Sequence, residues 1–223
     1  MKFKVGWPGN VSIAIYLILL FTPLLGLAQS NNVDKTDYLS PLEKAVVNEM
    51  NLARTSPKEY LSLLEQFKKY YDGKLLKLPG ETPILTKEGT SAVVEAIRSL
   101  RSLKPVSPLC PSKGMTLGAK DHVRDLRTSE ASQHKGSDGS QTWDRVNRYG
   151  TWQKIIGENI SFGHNKARNI VVTLMIDDGI PSRGHRKNIF NPDFRWVGVA
   201  CGDHPAYRTI CVITFAGGYR EKD

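Results

Sequence analysis

The runs Trp196-Val197-Gly198-Val199-Ala200 and Val212-Ile213-Thr214-Phe215 decide the fold class of this chain. Both runs are short, apolar and rich in β-branched residues, which is typical of buried strands. Because only a polar stretch separates them, they are expected to pair as an antiparallel hairpin. A hairpin with two apolar faces needs helices to cover it, so the remainder of the chain should supply them.

Helical patterns precede and interleave with these strands. Ser40-Pro41-Leu42-Glu43 and Ser56-Pro57-Lys58-Glu59 each combine a capping serine, a proline at the first helical position and a glutamate three residues after the serine. Apolar spacing predicts further helices over residues 93–100, 115–126, 143–149, 167–175 and 183–190, and short strands over 83–85 and 159–162. The sequence therefore predicts an α+β fold with one layered domain.

The first 28 residues have the layout of a signal peptide. Lys2 and Lys4 precede an apolar run from Val11 to Ala28, which ends in the small residues that a signal peptidase reads. Cleavage is expected after Ala28. An uncleaved anchor is the alternative, because about 18 apolar residues lie at the lower limit for crossing a bilayer. Residues 29–40 are expected to form a flexible linker, and the mature protein to be secreted, extracellular or periplasmic, without a stable membrane span.

The charge balance favours anionic partners. The chain has 31 lysines and arginines against 22 aspartates and glutamates, a net charge of +9. No tight basic run with interleaved aromatic residues is present, so nucleic acid is not expected as a partner. A small ligand, an anionic lipid or a cell-wall component remains open, and an ordinary solvated basic surface is the alternative.

The chain contains three cysteines. Cys201 ends one predicted strand and Cys211 begins the next, so the two could face each other across the hairpin. In an exported protein such a pair tends to oxidise. We therefore predict a Cys201–Cys211 disulfide, with Cys110 either free or paired in place of one of them.

Histidines and acidic residues concentrate in four short motifs, Gln133 to Gly139, Gly157-Glu158-Asn159-Ile160, Asp177-Asp178-Gly179 and Arg183 to Phe190. Imidazole with carboxylate suits zinc, and it also suits general acid and base chemistry. His122 lies on the apolar face of a predicted helix, where a hydrogen-bonded core histidine is the usual interpretation.

The order of these motifs resembles the CAP superfamily, the fold shared by cysteine-rich secretory proteins, insect venom antigens and plant pathogenesis-related proteins. An upstream histidine, Gly-Glu-Asn-Ile, a downstream Gly-His pair and a closing Val-Gly-Val-Ala strand follow one another. Gly184-His185-Arg186 with Asn188-Ile189 is similar to the bacterial branch. The resemblance covers residues 41–217 and implies a three-layer α-β-α sandwich whose central groove holds two histidines and two acidic side chains.

The resemblance assigns site residues position by position. His134 and His185 match the two histidines, and Glu158 matches the acid of the Gly-Glu-Asn-Ile motif. The second acid normally follows a tryptophan, which is absent here, so Asp178 is the candidate and Asp177 the alternate. His122 and His164 are the other histidines to consider if zinc binds elsewhere.

These residues suggest a non-enzymatic extracellular binding protein whose groove holds zinc or another divalent metal. Arg183 and Arg186 are expected to flank the groove and attract an anionic group. One alternative is a metal-assisted, peptidase-like hydrolase, for which Ser137 and Ser182 lie near the histidines in sequence. The other is an anionic lipid or cell-wall binder in which the histidines and acids form a purely structural network.

Overall fold

A four-stranded sheet forms the centre of the protein in a computed structural model, which describes residues 36–127 and 134–222. The strands, in the spatial order β4-β6-β7-β5, are β4 (Cys110–Pro111), β6 (Trp196–His204), β7 (Arg208–Glu221) and β5 (Gly150–Phe162). β7 pairs antiparallel with both β5 and β6, whereas β4 pairs parallel with β6. Val199 stands opposite Ile213, so the predicted closing hairpin is confirmed.

Helices cover both faces of this sheet. They are α1 (Pro41–Thr55), α2 (Pro57–Lys68), α3 (Thr90–Arg101), α4 (Lys113–Leu126), α5 (Thr142–Asn147), α6 (Ala167–Ile176) and α7 (Gly184–Phe190). The larger core joins α1, α2, α3, α6 and α7 to one face of the sheet. The smaller cores join α4 and α5 to the other face. The predicted α+β class and the three-layer α-β-α sandwich are therefore confirmed.

Side chains alternate between the two cores along the central strands, because successive residues of a strand point to opposite faces. Val197 and Val199 belong to the larger core, whereas Ala200 belongs to a smaller one. Gly198 lies directly beneath α4, since a Cβ atom at this position would stand 2.2 Å from the carbonyl carbon of Met115. Glycine is thus required for α4 to pack closely on the sheet.

The start of α1 ties the helical layer to the sheet. Glu43 Oε2 accepts from the backbone N–H of Ser40 at 2.7 Å, and the Ser40 hydroxyl accepts from the Glu43 N–H at 3.3 Å, which is the predicted capping box. The second Glu43 oxygen accepts from the Cys201 N–H at 3.0 Å. Buried Glu43 therefore caps the helix and holds it against β6 at the same time.

The domain extends beyond the predicted limits at both ends. Within the segment expected to be a flexible linker, residues 36–39 form a turn and Leu39 is buried in the larger core. β7 continues to Glu221, four residues past the predicted end of the domain. The predicted signal peptide and residues 29–35 lie outside the described residues. None of the helices in the described ranges is long and apolar enough to span a membrane.

A small antiparallel sheet occupies much of the segment that was expected to be a loop. Its strands are β1 (Tyr71–Asp72), β2 (Leu75–Leu76) and β3 (Ile84–Leu85), in that order. β3 matches the predicted short strand, whereas β1 and β2 were not predicted, because two-residue strands leave no periodicity in the sequence. The strand β4 was not predicted for the same reason, because it also has only two residues.

A disulfide joins Cys201 to Cys211, as predicted. The two cysteines stand directly opposite each other on β6 and β7, with their Cα atoms 4.1 Å apart. Cys110 is exposed and has a free thiol.

Candidate functional site

His134 lies in a loop held in place by the neighbouring helices. The loop backbone folds back on itself, with Gly136 N–H donating to Ser140 O at 2.8 Å. The backbone N–H and the hydroxyl of Ser137 both donate to Asp125 of α4. The side chain of His134 is about half exposed, and its Nδ1 lies 2.9 Å from Glu158 Oε1. The first two of the four motifs therefore meet at this contact.

Glu158 is a buried carboxylate on β5, 7% exposed, with partners on both oxygens. Oε2 accepts from Arg145 at 2.9 Å, and Oε1 lies 3.7 Å from His122 Nε2 as well as contacting His134. Burial alone would raise the pKa of the Glu158 carboxyl, but His134, Arg145 and His122 together hold it below its ordinary value. Ionised Glu158 thus stabilises the fold at neutral pH, and this contribution is lost as the pH falls through the depressed folded-state pKa.

Arg145 of α5 was not identified from the sequence, yet it connects the whole His134 loop to Glu158. Its side chain is buried and donates to the carbonyls of His134 at 3.0 Å and Ser140 at 2.9 Å. A single arginine among many basic residues gives no sequence signal of this role. His122 is fully buried behind Glu158, which fits the interpretation of a core histidine.

His185 is held by Asp177 at two points. Its Nδ1 lies 2.6 Å from Asp177 Oδ1, and its backbone N–H donates to Asp177 Oδ2 at 2.9 Å. Asp177 ends α6 in the left-handed conformation, with φ 56° and ψ 43°, which aspartate tolerates better than most residues. This turn directs the buried carboxylate of Asp177 to the start of α7, so the alternate acid is the one that contacts the histidine.

Asp178, the preferred candidate for the second acid, has a different role. Its oxygens accept from the backbone N–H groups of Lys87, Glu88 and Gly89 at 2.6–2.8 Å. Asp178 therefore fixes the loop before α3. Asp178, the candidate for the second acid of the groove, is thus not the acid that contacts His185, because the left-handed residue before it turns the two neighbouring carboxylates to different elements.

Arg183 and Arg186 do not flank the histidine groove as expected. Arg183 pairs with Glu88 at 2.7 Å, and Arg186 pairs with Glu95 of α3 at 2.6 Å. Both arginines line a separate cavity of about 620 Å³ between α3 and α7. Both arginines pair with Glu95 of α3, so their charges join the start of α7 to α3 and do not line the groove, contrary to the expectation.

The asparagines of the two motifs join β5 to α7 and so hold the helix that bears His185 against the strand that bears Glu158. Buried Asn159 donates to His185 O at 3.0 Å and accepts from Asn188 Nδ2 at 2.8 Å. Gly157 allows this close approach, because a Cβ atom there would stand 2.9 Å from the ring of Phe194.

His134 and His185 line one cavity of about 460 Å³, and Glu158 lies in the same wall. The remaining lining residues are Ile160, Phe162, Ile180, Ser182, Gly184 and Asn188. Three of the four predicted site residues thus share this groove, and Asp178 does not.

Within residues 36–127 and 134–222, no group of three or more histidine, cysteine, aspartate or glutamate side chains could together hold a metal ion.

The serines that the hydrolase hypothesis needs are placed differently. The Ser137 hydroxyl donates to the carboxylate of Asp125 and not to a histidine. Ser182 lines the groove, but neither serine makes a hydrogen bond to a histidine within the part of the chain that the structure describes.

The protein is an α-β-α sandwich with two histidines in one groove, each next to a carboxylate. A comparison with protein-family models identifies the family of this domain. The family model described as the cysteine-rich secretory protein family, CAP, matches residues 94–215, more than half of the chain. The chain belongs to the CAP family, as the order of its motifs predicted.

The matched relatives are bacterial. YkwD of Bacillus subtilis, described as uncharacterized, is 29% identical over 107 residues, which is 48% of this chain and 40% of that protein. An extracellular SCP-domain protein of Bacillus anthracis is 22% identical over 57% of this chain and 37% of its own, with a TM-score of 0.41. An outer surface protein of Borrelia burgdorferi is 17% identical, with a TM-score of 0.43. The match covers 59% of this chain and 89% of the Borrelia protein. The chain thus spans about 40% of the length of its curated relative.

Proposed function

We propose that this chain is an exported binding protein whose groove takes up a divalent metal ion, with zinc as the first candidate, through His134 and His185. The observation that supports the proposal is the pairing of each imidazole Nδ1 with a buried carboxylate, Glu158 at 2.9 Å and Asp177 at 2.6 Å. A histidine that binds a metal usually donates its other ring N–H to such a carboxylate.

The donor set fits a metal bound by two imidazoles. Because a carboxylate accepts hydrogen bonds, Nδ1 of each ring carries the proton, and Nε2 keeps the lone pair that a metal needs. Glu158 and Asp177 then orient the ligands and are not ligands themselves. With two protein donors, the metal would keep open positions, where it would supply an electrophilic centre for an anionic ligand. The net charge of +9 supports an anionic partner, such as a lipid or a cell-wall component.

The neighbouring aspartates provide a matched test of this arrangement. We expect Asp177→Asn to weaken zinc binding about 10–100-fold, because the amide cannot accept from both the Nδ1–H and the backbone N–H of His185. Asp178→Asn should leave zinc affinity within about twofold of wild type, since the hydrogen bonds of Asp178 go to the loop before α3 and not to His185. Calorimetric titration of zinc into protein purified without chelators or a metal-affinity tag measures both effects. Equal zinc affinities of the two variants would contradict the proposed orientation of His185.

The export of the protein has a separate test. We expect the exported form to begin at Gln29, because Gly26-Leu27-Ala28 offers the small residues that a signal peptidase requires. Intact-mass measurement of the protein from the culture medium and from the membrane fraction checks the prediction. A membrane-retained form that still begins at Met1 would show that the apolar segment is an anchor.

A further inference from the structure

A second cavity, here called the side chamber, lies between the small β1-β2-β3 sheet and α6. It has a volume of about 210 Å³ and is separate from the histidine groove, although His185, Phe162 and Ile180 line both cavities. This volume corresponds to about seven water molecules at ~30 Å³ each, so it suits a small organic group. The proposed metal site does not use this space.

Apolar side chains form most of the walls of the side chamber, and its polar groups are carboxylates, imidazoles and hydroxyls. Asp177 and Asp178 contribute carboxylates, and no lysine or arginine lines it, although the chain as a whole is basic. Asp178 makes no ion pair with any described residue and accepts only backbone N–H groups. Among the described residues, the carboxylate of Asp178 therefore has backbone hydrogen-bond donors but no ion-pair partner.

His164 adds a buried polar group whose hydrogen bonding is incomplete. The residue is 7% exposed and lines the side chamber, and its Nδ1 makes no hydrogen bond to the described residues. The nearest carboxylate oxygen, Glu81 Oε2, is 4.0 Å away, which is too far for a hydrogen bond. Burial lowers the pKa of His164 although Glu81 opposes this shift, so the imidazole is neutral at pH 7 and one of its nitrogens is an acceptor.

Two aromatic rings complete the lining. Tyr71 and Phe162 both belong to the wall, and aromatic rings attract cations to their faces. Burial and the nearby charge of Asp178 raise the pKa of the Tyr71 hydroxyl, which therefore stays protonated at neutral pH. A carboxylate without an ion-pair partner among the described residues, a neutral imidazole and aromatic rings in an apolar cavity are complementary to an organic cation and unfavourable for an anion.

We propose that the side chamber binds the ammonium end of a small primary amine, with the alkyl part against its apolar walls. The ammonium group makes an ion pair with Asp178 and donates hydrogen bonds to the available acceptors, while the short carbon chain replaces water at the apolar walls. This inference does not depend on metal binding at the groove.

Matched probes test the charge preference. n-Butylammonium, 1-butanol and butyrate have similar size and differ in charge, so each is titrated into the ¹⁵N-labelled protein and followed by NMR. n-Butylammonium should bind at least tenfold more tightly than the other two and should shift the signals of Tyr71 and His164. Equal affinities for the three probes, or shifts confined to other parts of the surface, would overturn the proposal.

Neighbouring residues of β3 provide matched variants. Ile84 is 38% exposed and lines the chamber, whereas Leu85 is 75% exposed and does not line it. Ile84→Trp should fill the chamber and abolish binding of n-butylammonium, whereas Leu85→Trp should leave it unchanged. Zinc affinity should be the same in both variants, which separates this test from that of the groove. Unchanged amine binding in a folded Ile84→Trp variant would show that the amine binds elsewhere.

Discussion

Arg54→Ala is expected to lower the free energy of unfolding by at least about 4 kcal/mol, a large part of the 5–15 kcal/mol typical of a domain. Arg54 lies on α1, is fully buried and forms no ion pair with a described residue. Its guanidinium donates instead to the carbonyls of Ser107, Ile189, Asn191 and Phe194 at 2.6–3.0 Å. Truncation would leave four carbonyl groups without this donor and would create a cavity, and both effects are costly.

The guanidinium of Arg54 stays positively charged at neutral pH despite its burial. Burial, with the positive charge of Arg195 nearby, lowers the pKa of Arg54 to about 10, which is still well above neutral pH.

Urea denaturation followed by circular dichroism measures the free energy of unfolding of Arg54→Ala, with Arg101→Ala as the control. Arg101 makes only an exposed ion pair with Glu65, so its loss should cost less than about 1 kcal/mol. Similar losses for the two variants would show that the buried arginine does not hold α1 to the segment before β6.

The second large effect is expected on zinc binding. His134→Ala and His185→Ala should each abolish most of it, because each removes one of the two imidazoles that line the groove. Zinc should also be released by acid, since a protonated imidazole has no lone pair to donate. Both variants should stay folded, because His134 is about half exposed and His185 lies at the surface of the groove.

Calorimetry with zinc, with circular dichroism as a check of folding, measures these effects. His164→Ala is the control variant, since His164 lies outside the groove and lines the side chamber. Zinc binding at wild-type affinity in both groove variants, or its loss in the control variant, would move the site away from His134 and His185.

Local sequence patterns predict the fold class, and the resemblance to a family supplies three of the four site residues. The closing strands were predicted because both runs are short, apolar and rich in β-branched residues, and α1 because its start has a capping serine, a proline and a glutamate at the right spacing. His134, Glu158 and His185 were assigned by resemblance, and the structure brings them to one groove.

The errors concern long-range pairs and turn geometry. Sequence cannot distinguish Asp177 from Asp178, because the left-handed turn at Asp177 decides which element each carboxylate reaches. Arg183 was expected near the groove, but its partner Glu88 lies far away in the sequence. Buried Arg54 and Arg145 bind carbonyls that only the folded chain brings together.

The most direct test of the central claim is a long-range ¹H–¹⁵N NMR spectrum of the histidine side chains, recorded with and without zinc. The structure predicts that Nδ1 of both His134 and His185 carries the proton, since each faces a carboxylate, and that zinc shifts Nε2 of these two rings. A zinc-induced shift at Nδ1, or shifts confined to His122, His164 or His204, would contradict a metal site in the groove.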